Sequence, residues 1–302
     1  MALFVSILVN GCILGSIYAL IAMGLNTQFG VARILNIAHG EFIVLAAFIT
    51  YMLATTAGIQ PPASLMNAGP LQAIPYVLLY MLIVCPIVFA IAFALHITIF
   101  RFAKKKNEAA FEGNAIMIAF GIYFIVQSTM QTGIGSLYTS FQFMMYSVKV
   151  GPADISAGNL IVLMIAAIIC IAYNIFLSYT RLGKSIRAAA QDPQAAALMG
   201  VKINRILAVC FAIGGILAAF AGVLICMKES FASTSGLNFT TIAIIIVVLG
   251  GLGSVRGAIL GGFIMGIAGY AISAYDTGLM MPVFYLIILV LLIVRPKGLL
   301  GR

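Results

Sequence analysis

Charge is what this chain of 302 residues has least of: Asp, Glu, Lys and Arg make up only 8% of it, against about 25% in an ordinary soluble domain. With 64% of the residues apolar, a water-soluble fold of this length could not cover its own outside, and a mean hydropathy of +1.19 puts most of the chain in lipid. Paired cysteines are missing too. Cys12, Cys85, Cys170, Cys210 and Cys226 each stand alone inside an apolar run, which excludes a disulfide framework and a zinc site. The two histidines, His39 and His96, are too far apart for an HExxH pair. Short alternating strands are absent as well, and the long unbroken apolar runs belong to helices, not to a barrel.

Those runs lie near residues 4–25, 34–54, 74–100, 113–131, 158–178, 206–227, 237–252, 257–274 and 280–294. Cytoplasmic loops of membrane proteins carry an excess of Lys and Arg, which assigns the loop with Arg101, Lys104, Lys105 and Lys106 to the inside. Alternating outward from it, Arg33, Arg181, Lys184, Arg187, Lys202, Arg205, Arg256, Arg295, Lys297 and Arg302 fall on the same side, and only Lys149 and Lys228 remain outside. The net charge of +9 is therefore a topology signal, with the N-terminus outside and the C-terminus in the cytoplasm, and no nucleic-acid footprint. Residues 4–25 are of span length with no basic residue ahead of them, which argues against a cleaved signal. Pro86 predicts a kink in the third segment. Gly11 with Gly15, Gly253 with Gly257 and Gly261, and Gly262 with Gly266 have the spacing at which helices approach closely in lipid; a turn and broken helix over 250–262 is the other reading.

The longest charged stretch between spans is TRLGKSIRAAAQDPQAAALMGVKINR, residues 180–205. Asp192 suits an N-cap, Pro193 the first helical position and Gly200 the left-handed residue after a helix end, so a short helix is predicted over 193–199. Its surface is alanine-rich and flanked by basic residues, the shape of a peg for a socket on another protein; a helix lying on lipid headgroups is the alternative. Gly183, Lys184 and Ser185 spell the end of a P-loop, but the glycine it requires five positions earlier is Ser178, and a membrane span precedes it.

Polar residues inside spans are functional candidates. Asn36, His39 and Gly40 share one helix face, with Glu41 about 200° from His39. Tyr123, Gln127 and Gln131 recur at i, i+4 and i+8 and form a polar stripe. These residues line a translocation path or bond neighbouring helices together. Residues 132–157 make a long outer loop with Tyr138, Phe141, Met144, Met145 and Tyr146, either a docking surface or an interfacial helix.

Gln194, Ala195 and Ala196, followed after three residues by Gly200, resemble the EAAxxxG signature of ABC importer permeases with Gln in place of Glu. NGCILGSIYALIAMGLNTQFG (10–30), LNIAHGEF (35–42), RLGKSIRAAAQDPQAAALMGVKINRI (181–206), VVLGGLGSVRGAILGG (247–262) and the tail RPKGLLGR are similar, in order, to branched-chain amino acid permeases of the LivH type. The resemblance implies an all-α polytopic bundle of about eight to nine transmembrane segments with the ABC importer permease fold, one domain over 1–302. It implies a bacterial inner-membrane subunit that imports branched-chain amino acids and is not itself an enzyme. Its partners would be a second, related permease chain, two ATPase subunits that bind ATP and Mg, and a soluble binding protein. Arg187, Asp192, Pro193, Gln194, Ala195, Ala196, Ala197 and Gly200 would couple it to the ATPases. Relatives with the same pattern import urea or short amides. A secondary transporter would have only Glu41 for ion coupling, and no converging set of catalytic groups supports an enzyme.

Overall fold

A computed structural model describes residues 2–33, 35–59, 74–102, 111–135, 138–139, 147–150, 153–295 and 298–301. Its helices are α1 (Ala2–Ala32), α2 (His39–Thr55), α3 (Ile74–Leu95, continued by a π turn over His96–Phe100), α4 (Phe111–Ile134), α5 (Ala157–Tyr179), α6 (Arg181–Gln191), α7 (Pro193–Leu198), α8 (Ile203–Lys228), α9 (Gly236–Gly250), α10 (Val255–Ser273) and α11 (Met280–Val294). Among the described residues seven helices are long and apolar enough to cross a membrane, and α2 and α9 are shorter apolar helices. The nine expected segments are all present. Pro86 lies inside α3, where it removes one backbone donor.

α8 is the axis of the bundle, with α1, α2, α3 and α5 packed around it. α10 lies along α1 in the most extensive helix pair of the chain. There the small residues act as packing surfaces: a Cβ on Gly266 would overlap the Cα of Gly15, and one on Gly262 would lie 2.6 Å from the Cα of Ala19. α4 and α11 sit at the periphery with their apolar side chains facing outward, as lipid-facing helices do.

Three boundaries differ from the hydropathy reading, each for a physical reason. α1 runs seven residues past Leu25 to Ala32, because Asn26, Thr27 and Gln28 are buried and bonded inside the protein, not solvated at a helix end. The chain then reverses at Arg33, in the left-handed region at φ 54°, and α2 begins only at His39. Between α9 and α10, Gly251 and Gly253 have positive φ, so the stretch over 250–262 is a tight turn followed by an intact helix. Beyond α11, the Leu299 and Leu300 N–H groups donate to the Leu249 and Gly250 carbonyls at 2.8 and 3.0 Å. The tail thereby closes the C-terminal end of α9.

In the long loop the described part is a hairpin, β1 (Ser147–Val150) against β2 (Ala153–Ser156), with Thr139 bridged to Phe231. That part is strand, not the interfacial helix considered as an alternative. Phe141, Met144, Met145 and Tyr146 lie outside the described residues, as do Lys104, Lys105 and Lys106. The described basic residues Arg33, Arg101, Arg181, Arg187, Arg205, Arg256 and Arg295 are exposed; Arg33, Arg101 and Arg295 follow the C-terminal ends of α1, α3 and α11, and Arg205 and Arg256 lie in the first turns of the antiparallel α8 and α10, so one end of the bundle is basic.

Candidate functional site

At the basic end, α6 and α7 form a compact projection. Thr180 caps α6, its hydroxyl accepting from the Gly183 N–H at 3.0 Å. Gly183, Ile186 and Ala189 turn inward, while Arg181, Lys184 and Arg187 face out, the periodicity of a half-buried helix. The Arg187 guanidinium donates to the Ser178 carbonyl at 3.1 Å and ties α6 back to the end of α5. α6 rests on α1, α5 and α8, and α7 on α6 and α8.

α7 starts and ends as its residue types dictate. The Asp192 carboxylate accepts from the Gln194 and Ala195 N–H groups at 2.8 and 3.0 Å, Pro193 occupies the first turn, and Gly200 at φ +86° takes the left-handed position. Two bonds close the end, Gly200 N–H to Ala197 and Val201 N–H to Ala196. Ala195 and Ala197 are exposed, as an alanine surface requires, but α7 presents more than alanine. Ala196 is 5% exposed and faces its own chain, whereas Leu198 and Met199 are 90% and 86% exposed. The projecting tip is a pair of large apolar side chains. Because Asp192 holds two N–H groups that nothing else in the helix can bond, Asp192→Ala is expected to cost about 1 kcal/mol of α7 stability. Faster hydrogen exchange at Gln194 and Ala195 would report it, and Asp192→Asn should preserve protection.

The intramembrane candidates separate into two groups. Asn36 and His39 are buried inside the chain. The Asn36 amide donates to Gln28 Oε1 at 3.1 Å, and the Gln28 amide donates to the Phe211 carbonyl at 3.1 Å. His39 Nε2 lies 3.1 Å from the Ile21 carbonyl. Asn36 and His39 thus brace α1, α2 and α8. Tyr123 and Gln127 are half-buried and Gln131 is exposed, so the α4 stripe runs along the outside of this chain. Glu41 belongs to neither group: its carboxylate meets Gly236 on α9.

Several contributors were not singled out by the sequence. Asn26 accepts from the Gly253 N–H at 2.7 Å, Thr27 pairs with the Tyr173 hydroxyl at 2.6 Å, and Thr240 accepts from the Gly40 N–H at 2.8 Å. A run of three polar residues inside an apolar helix was the available signal for the first two. Among the described residues there is no group of His, Cys, Asp and Glu able to hold a metal ion.

The family described as branched-chain amino acid transport system / permease component matches residues 7–295. The chain belongs to that family. It is 30% identical to the high-affinity branched-chain amino acid transport system permease protein LivH of Salmonella typhimurium, over 99% of this chain and 96% of that protein. The corresponding protein BraD of Pseudomonas aeruginosa is 28% identical, over 98% and 95%. The permease protein LivM of Escherichia coli K12 is 26% identical, over 94% of this chain and 68% of its own length. No solved structure matches the chain. Membership makes this a multi-pass permease component of a transport system, and the bonded polar side chains described above are the interior of a permease.

Proposed function

We propose that this chain is the membrane-spanning subunit of an ATP-driven importer of branched-chain amino acids in a bacterial inner membrane, with its basic end in the cytoplasm and its N-terminus outside. The observation that carries the coupling part is the capped helix α7, which holds Leu198 and Met199 in the open at the basic end. Exposed apolar side chains of that size on an otherwise charged surface mark a protein contact. Residues 180–205 act as the coupling segment of a single permease domain, docking into a separate ATPase subunit that binds ATP and Mg, and this chain binds neither.

ATP draws two such subunits together, and α7 moves with its socket. α6 carries that displacement to α1 and α8, on which it is packed, so a rigid-body shift at the docking site reaches the centre of the bundle. A second permease chain completes the path. The similarity of the chain to both LivH and LivM supports a pair of related subunits, with the α4 stripe of Tyr123, Gln127 and Gln131 turned toward the partner. A soluble binding protein delivers the substrate from outside, where the hairpin lies.

The test is co-expression with a LivM-like permease, the ATPases and the binding protein encoded in the same genome, followed by reconstitution. Leucine uptake that requires ATP and all components is the expected result. Uptake without ATPases would overturn the coupling reading, and labelling of a cysteine at Lys184 by an impermeant reagent from outside intact cells would overturn the orientation.

A further inference from the structure

Two shorter helices meet head to head at depth. His39 bonds at Ile21, which lies eleven residues before the end of α1 at Ala32, about 16 Å along the axis, so α2 starts near the middle of the bundle. α9 starts beside it: a Cβ on Gly40 would overlap the Gly236 carbonyl, and a Cβ on Gly236 would overlap Glu41 Oε1. The first N–H groups of α2 are taken, His39 by Asn36, Gly40 by Thr240 and Glu41 by Ala38. α9 has no side-chain cap; the Phe239 N–H is taken by the Ser235 carbonyl, and the N–H groups of Gly236, Leu237 and Asn238 ahead of it find no partner within the helix. Facing that end is Glu41, 0% exposed, with neither carboxylate oxygen bonded among the described residues. Tyr123 on the α4 stripe lies within electrostatic reach of it.

A partly positive helix end and a buried carboxylate therefore meet in one place without being hydrogen-bonded to each other. A simple cation would meet the positive ends of two helices, and a simple anion would meet Glu41. A ligand that carries both charges a few ångströms apart satisfies both. We propose that the junction of Glu41 with the first turn of α9 is an intramembrane recognition site for a zwitterionic α-amino acid, its ammonium group on the Glu41 carboxylate and its carboxylate on the free N–H groups of α9. Helix N-termini that meet at depth serve anionic groups in this way. In the present conformation the site is closed by the contact of Glu41 with Gly236, and it opens when α2 and α9 part. Among the described residues the direct hydrogen bonds between the two segments are those of Thr240, with the Gly40 N–H and the Ile37 carbonyl.

This inference rests on the reading of the chain as an amino-acid permease, and the two fail separately. In the assembled permease–ATPase complex in lipid nanodiscs, without the binding protein, radiolabelled leucine should bind saturably. Isocaproate, which lacks the ammonium, and isopentylamine, which lacks the carboxylate, should each bind at least tenfold more weakly. Glu41→Gln should weaken leucine at least tenfold while leaving isocaproate within threefold, and Glu41→Asp should recover part of the leucine affinity. If Glu41 were only a neutral packing group, the near-isosteric Gln would behave as wild type, and that result overturns the proposal. So does equal binding of leucine and both analogues by the wild-type complex, a measurement that needs no variant to fold, or absence of leucine binding in a complex that still takes leucine up. A wild-type complex that takes up no leucine with its binding protein present overturns the permease reading instead.

Discussion

Replacing Gly266 by valine is expected to leave little folded protein in the membrane. The Cβ alone would overlap the Cα of Gly15, and the branched side chain has no rotamer that avoids α1. Only separation of α1 from α10 relieves the overlap. In lipid, where no hydrophobic effect drives helices together, close packing is the main force between them, so the opened seam is not recovered elsewhere. Overpacking of a tight interior costs typically 1–3 kcal/mol. At the most extensive helix pair in the chain, with backbone on both sides, the cost should reach at least about 3 kcal/mol, a large fraction of the net stability of a domain. Detergent-extracted variant should aggregate on size exclusion, whereas Gly113→Val, where a Cβ meets nothing within 4 Å, should elute as wild type. A monodisperse Gly266→Val protein with wild-type thermal stability would show that the seam is looser than the structure has it.

The second large effect is expected at the tip of α7. Leu198 and Met199 are almost fully exposed in the isolated chain, so replacing both by glutamate removes little packing from the permease itself. In a docked complex the same carboxylates enter an apolar socket unpaired, at a cost of about 3–5 kcal/mol, or roughly two to four orders of magnitude in affinity. The variant should insert and purify normally, lose its ATPase subunits and support no uptake. Retention of the ATPases and of transport would remove α7 from the coupling role. Alanine at the same two positions should give an intermediate loss, because it deletes contact area without burying charge. Ala196 is the wrong place for this experiment. It packs against its own chain, and a charge there would disturb α7 before any partner arrived.

The segment count, the basic end and the cap residues of α7 were legible because each depends on local chemistry: run length, loop charge and the residue types that satisfy helix termini. Pro193, Asp192 and Gly200 sit where those rules put them. Asn26, Thr27 and Gln28 misled because polarity in a sequence does not say where its partner is. Their partners, Gly253, Tyr173, Phe211 and Asn36, come from four other regions of the chain. The late start of α2 has the same origin, since an apolar run cannot show that its first residues climb through the bundle without helical bonds. Ala196 and Leu198 were hidden by a different limit. An alanine-rich turn has no hydrophobic pattern strong enough to fix which side faces home, and the rotation of α7 is set by its rest on α6 and α8. Glu41 was visible as an intramembrane charge, but its position against α9 depends on a contact 195 residues away, at Gly236.

The strap of Leu299 and Leu300 on the end of α9 bears on the order in which the molecule is made. As α9 leaves the ribosome, the carbonyls of Leu249 and Gly250 have no N–H groups to receive. Their donors are synthesised only after α10 and α11. Until then the C-terminal end of α9 lacks the two donors that close it. The last turn of α9 therefore gains its partners only after every helix has been synthesised, and a chain cut before residue 299 should exchange its amides faster at that end while the Thr240 bonds to Gly40 and Ile37 at the other end stay in place.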